Sequence, residues 1–368
     1  MIAWHFRNAL VNFCEPFHHF RSELGMPEEV NQIPVEKTTY IPCWSMDINQ
    51  STNDGQGQII HNVMGQANLG DPTDYPGVED ICEMVTLFHG DLRTGELIEG
   101  IKYSCCIESK EIWRLQMVVF VMGLFHLQMA CADALWRMFI EPKEVRKDDN
   151  SLYQQACKIR PHDSGRIGSG PGFRIMHDLA HQCAYARMLD CWRADTKKRN
   201  SLHTSLKEFA TSKPTWEQLE DTSLLLAETY IDQPNLKDQD FCNNTLILGR
   251  LIQYIELTHA MKFGDIGCVE NTFLHWVFVF KCVGKHKYAT HLIKVMNDMK
   301  YTFPERLRYV AISPTWSVVD SESSRAIRLN WLCNPTGKHD GFRAIDWLVE
   351  LLNLYTKVNC HKCYLRIL

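Results

Sequence analysis

The sequence predicts a helix-rich protein with an α/β core split by a large all-α insertion. Two observations predict it. Apolar runs rich in β-branched and aromatic residues close on His89, Gly90 and Asp91, and again on Phe125 and His126. Short runs of this kind, each ended by glycine or a polar group, read as buried neighbouring strands. Between about 140 and 310 strand signals nearly vanish while helical periodicity persists, the mark of an all-α block. The expected division is therefore a peripheral segment at 1–37, the first part of the core at 38–140, the helical insertion at 141–262, and a C-terminal helical part at 263–368 that completes the core.

Taken in order, residues 1–40 read as a weakly amphipathic helix and an irregular lead-in. TTYIPCW at 38–44 is β-rich, and Pro42 suits it to a sheet edge or turn. Ile59, Val63 and Met64 mark a helix reaching towards Gly70, and GDPTDYPGVED after it is a loop. The run beyond Gly123 becomes a helix ended by Pro142, and KIRPHDSGRIGSGPG at 158–172 is the clearest loop of the chain. Helical patterns then cover 173 to about 230, with Ser212 as a cap ahead of Pro214. A further helix runs from about Asp240 to Met261 on a face of Leu246, Leu248, Leu251, Ile252, Ile255 and Leu257. KYATHLIKVMNDM is another amphipathic helix, NPTG is a turn, and a last helix begins near Ala344.

Composition excludes several classes. The 368 residues are 45% hydrophobic and 23% charged, with net charge −5, so nucleic-acid binding would need a local basic face. RADTKKRN at 193–200 and KHKY at 285–288 are such clusters, equally explained as solvated helix ends. No apolar run reaches the roughly 18 residues of a membrane span, and the N-terminus lacks an apolar signal region. Fifteen scattered cysteines in such a chain point to free thiols and to an intracellular setting, nuclear or cytoplasmic.

Candidate chemistry rests on carboxylates. Asp91 behind a buried run, with Asp47, Asp265 and Glu270, forms a hypothetical acidic cluster for Mg²⁺, with Asp91 and Glu270 as metal ligands. The competing reading makes Asp91 the cap of the helix that follows, Asp265 a cap or turn residue and Glu270 a partner of a helix dipole. His177 and His181 share a helix face near Cys183 and Cys191, a weaker zinc option. CHKC at 360–363 lacks a second ligand pair. No GxSxG elbow and no phosphate loop occur.

Three segments carry a likeness: HGDLRTGE at 89–96, GLFHLQMACADALWR at 123–137, and GDIGCVE, GKHKYATHL and NWLCNPTGK between 264 and 338. The chain resembles, over about Thr38 to Lys357, the domain of unknown function 6589 expanded in mushroom-forming fungi. That family's members look like relics of mobile elements, similar to transposases with an RNase H-like core. The resemblance implies that Asp91 is the strand-ending acid, Val118–His126 the next strand, about 140–255 the insertion, and Glu270, with Asp265 as substitute, the late acid. Residues before Thr38 do not read as three strands, so either Asp47 supplies the first acid or that acid is missing, and the chain reads as truncated or domesticated. SVVDSESSRA at 317–326 reads as an insertion. The implied function is a transposase-like, nucleic-acid-associated and catalytically inactive protein, with Mg²⁺-dependent phosphodiester cleavage or transfer if active. The alternative is a protein-interaction module built on the helical block.

Overall fold

The computed structural model describes residues 1–368 apart from Pro42, Ser45, Met84, 233–237, 303–324 and 352–368. CHKC at 360–363 and most of the expected insertion at 317–326 lie outside the described residues. The chain forms two compact units, each assembled from separated stretches. The first takes Met1–Val30, Met129–His259 and Gly267–Thr272; the second takes Asn31–Gln128, Ala260–Ile266 and Phe273–Leu368.

The first unit is helical throughout its described residues, as the middle of the sequence predicts. Its N-terminal helix, Ile2–Phe13, is not peripheral. Ala3, Trp4, Phe6, Ala9, Leu10 and Val11 are all buried, against the helices Phe173–Arg199 and Trp216–Ala227. Burial of so many of its residues places this helix in a core. Buried Trp192 donates its indole N–H to the Phe6 carbonyl at 2.9 Å. Arg187 joins Gln155, Asn150 and Asn244 in one network, tying distant segments through a single guanidinium.

Local capping sets several helix starts. The Trp216–Ala227 helix begins at a reciprocal box of Thr215 and Gln218 rather than at Ser212. The glycine-rich 158–172 stretch, expected as loop, holds the short helix Ser164–Ser169 over buried Ile167. The Gln239–Phe263 helix buries the predicted face except Leu246, which is exposed.

All the strands among the described residues belong to the second unit, in three two-stranded pairs. These are β1 (Leu69–Gly70) with β2 (Glu79–Asp80), β3 (Thr86–Gly90) with β4 (Val118–Met122), and β5 (Leu332–Cys333) with β6 (Arg343–Ala344). The predicted neighbouring strands are β3 and β4, and they are parallel, Thr86 opposite Val118 and Gly90 opposite Met122. Parallel neighbours need a crossover, here the helix Leu92–Ser104. Gly95 lets that helix approach the sheet, because a Cβ there would meet the Phe120 ring. Ile60, Ile81, Ile98, Ile101, Met117 and Val118 form the core beneath.

TTYIPCW forms no strand among its described residues; instead Thr38 and Asn334 exchange hydrogen bonds at 2.9 and 2.8 Å, outside any ladder. NPTG is the expected turn, closed by the Asn334 side chain accepting from Gly337 N–H. Trp331 donates to the Met122 carbonyl at 2.8 Å and so fastens the C-terminal part to the end of β4.

Candidate functional site at the carboxyl edge of the parallel strands

Because β3 and β4 run parallel, both carboxyl ends fall on one edge, the position where open α/β proteins gather their chemistry. Gly123 N–H donates to the Gly90 carbonyl at 2.8 Å and holds the two ends together. Each strand then turns directly into a helix. Four N–H groups at a helix start lack an internal partner, so each start calls for an acceptor.

Asp91 answers that need locally. It is the N-cap of Leu92–Ser104, and its Oδ1 accepts from Thr94 N–H at 2.7 Å. The helix Leu124–Phe139 is served from far along the chain. Asp346, on the helix at 345–351, accepts from Phe125 N–H at 3.0 Å and His126 N–H at 3.1 Å. Its Oδ2 also takes the His126 Nδ1 proton at 2.9 Å. Gly123 makes room, since a Cβ there would fall on the Asp346 carboxylate.

The two histidines of this edge shift in opposite directions. The bond from Asp346 raises the pKa of His126 despite partial burial, and the charges of Asp91 and Glu350 act in the same sense. His89 goes the other way. Both its ring nitrogens are shut from solvent and have no partner among the described residues, and burial pushes its pKa down to about 4. At this edge a neighbouring carboxylate thus raises one imidazole's pKa while burial lowers the other's.

The four sequence-chosen acids take separate roles. Asp91 caps a helix. Asp265 is buried and accepts from Asn31 N–H at 2.9 Å, beside the bridge of Gln32 to Asp265. Asp47 is exposed on the loop before the Asn53–Gln66 helix. Glu270 is half-buried on the helix Ile266–Cys282 and belongs to the first unit, whereas the other three belong to the second. Among the described residues no three His, Cys, Asp or Glu side chains group to hold a metal ion. At the strand edge Asp346 Oδ1 takes one N–H and Oδ2 takes two donors, while Asp91 meets its helix through Oδ1.

His177 and His181 are likewise spent inside the first unit. His181 Nδ1 donates to the His177 carbonyl, its Nε2 lies 3.0 Å from the Thr258 hydroxyl, and His177 Nδ1 pairs with the Tyr254 hydroxyl at 2.9 Å. That arrangement leaves no zinc-ready pair. No described cysteine forms a disulfide.

Asp346 is the site residue that sequence reasoning missed. Its signal is present in FRAIDWLVELL: one acid inside an otherwise apolar helix start, where burial demands a partner.

The model of a family of unknown function, DUF6589, matches residues 1–363. The chain belongs to this family. The match embraces the strand edge and the helices of both units in this DUF6589 member. No curated protein and no solved structure matches the chain.

Proposed function

We propose that this DUF6589 protein derives from a fungal mobile element, resembles a transposase, and associates with nucleic acid without cutting it. The strand edge carries the reading. A parallel pair with an acid ending its first strand is what the centre of an RNase H-like core needs. Yet Asp91 and Asp346 are both engaged by the amides of helix starts. Two-metal phosphoryl transfer needs carboxylates free to hold ions about 4 Å apart, and here three donors already share the Asp346 carboxylate.

Nucleic-acid association is supported by the last turn of Phe173–Arg199, which gathers Lys197, Lys198 and Arg199. Arg193 and Arg199 are paired with Asp190 and Asp195, whereas Lys197 and Lys198 are exposed without an ion pair among the described residues. Binding of a DNA duplex measured across a salt series should show a log–log slope that drops by about 2 when both lysines become Gln. An unchanged slope removes this turn from the interface. In a Mg²⁺-dependent nicking assay neither the wild type nor Asp91→Ala should yield product. Nicking by the wild type that Asp91→Ala abolishes overturns the non-cleaving reading.

A second reading, a protein-interaction module, draws on the helical block. Leu202, Leu224, Leu225 and Leu246 are exposed there, and apolar side chains left in water favour a partner surface. Leu224→Glu would then abolish capture of that partner while leaving DNA binding intact.

A further inference from the structure

A cleft of about 840 Å³ in the second unit is lined by Asp54, Gln58, His61, Glu108 and Trp113, over the apolar floor of Ile101 and Leu115. None of the strand-edge residues lines it. Its size is that of a small-ligand site. Trp113 is 47% exposed, and its ring packs on His61 with centroids 4.7 Å apart. Burial lowers the pKa of His61, so near pH 7 this imidazole adds no positive charge. Gln58 donates to Asp54 Oδ2 at 2.7 Å, steadying one carboxylate on the rim.

The charge balance of the lining selects the occupant. It holds two carboxylates, Asp54 and Glu108, and no Lys or Arg. A phosphate would meet two negative charges with no counter-cation. A neutral apolar group would desolvate the carboxylates without return. A cation with an apolar stem satisfies both parts, its charge over the Trp113 face and beside the carboxylates, its stem on the apolar floor.

We propose that this cleft binds the guanidinium or ammonium side chain of a basic protein segment, with Trp113 as platform and Asp54 and Glu108 as counter-charges. The site stands independently of the strand-edge reading. The partner is therefore a basic polypeptide, which suits a chain of net charge −5.

Calorimetric titration of the full chain with a tetra-arginine amide at low salt tests it. Saturable binding is expected, weakened about threefold by Trp113→Ala, as a cation–π contact at an exposed ring contributes. Asp54→Asn combined with Glu108→Gln should weaken it at least as far, and Trp113→Phe should retain most of it. These are exposed positions, and an unchanged far-ultraviolet spectrum checks that each variant folds. Absence of saturable binding, binding indifferent to both sets of substitutions, or tighter binding of adenosine monophosphate than of the peptide would each overturn the proposal.

Discussion

The first unit buries His5 and His181 and so lowers their pKa, whereas the second pairs His126 with a carboxylate that raises its pKa. His5 is fully buried, edge-on to Trp4 and His259, with neither ring nitrogen bonded among the described residues. Burial drives its pKa down to about 3, and that of His181 down to about 4. His126, held by Asp346, moves up. The difference teaches what each unit uses polarity for. In the first, buried imidazoles pack, as His5 does, or bond neighbouring helix groups, as His181 does. In the second, a remote carboxylate fastens a helix start and a ring together.

The two arrangements respond oppositely to pH. Groups whose folded pKa is lowered below 6.5 make the unfolded chain the better proton acceptor, so the first unit loses stability as pH falls from about 6.5 towards about 3. A raised pKa does the reverse: the His126 pair contributes fully below about 6.5 and fades as pH rises through its folded value. His89, lowered to about 4, adds an acid limb to the second unit as well.

Four substitutions break or sharpen this contrast. The largest effect is expected from Asp346→Ala, which strips the acceptor from two helix N–H groups and from the His126 ring. It should cost about 3 kcal/mol in urea unfolding and erase the alkaline decline. Gly123→Ala attacks the same pair by crowding and should cost about 2 kcal/mol, with Asp346→Ala largely masking it in the double variant. His5→Phe keeps the ring packing but removes the proton acceptor. It should narrow the stability loss between pH 6.5 and 5 by about 2 kcal/mol, and an unchanged acid limb would exclude His5 as its source. The smallest change is Asp91→Ala, about 1 kcal/mol for a lost local cap, with Asp91→Asn nearly neutral.

Local signals made much of this legible beforehand. The β-branched runs announced β3 and β4, and the acid at the end of β3 announced a cap. Leu248, Leu251, Ile252, Ile255 and Leu257 announced a buried face. What escaped was long-range. Asp346 finds its partners some 220 positions earlier in the chain, and no local period encodes that pairing. The burial of the Ile2–Phe13 helix escaped because its partners, the helices Phe173–Arg199 and Trp216–Ala227, lie far along the chain. The acidic cluster was inferred from residue type, from the place of Asp91 behind a buried run and from the family resemblance. Asp265 turned out to satisfy a backbone amide, and Glu270 to belong to the other unit.

The central claim is that the strand-edge acids hold helices rather than metal. Thermal unfolding of the wild type and of Asp91→Asn, with and without millimolar Mg²⁺, tests it most directly. A site that bound Mg²⁺ at a hundredfold excess over its Kd would gain about 2.7 kcal/mol, a shift of several degrees. The account predicts the same melting temperature with and without Mg²⁺ in both proteins. A Mg²⁺-dependent rise in the wild type that disappears in Asp91→Asn would contradict it.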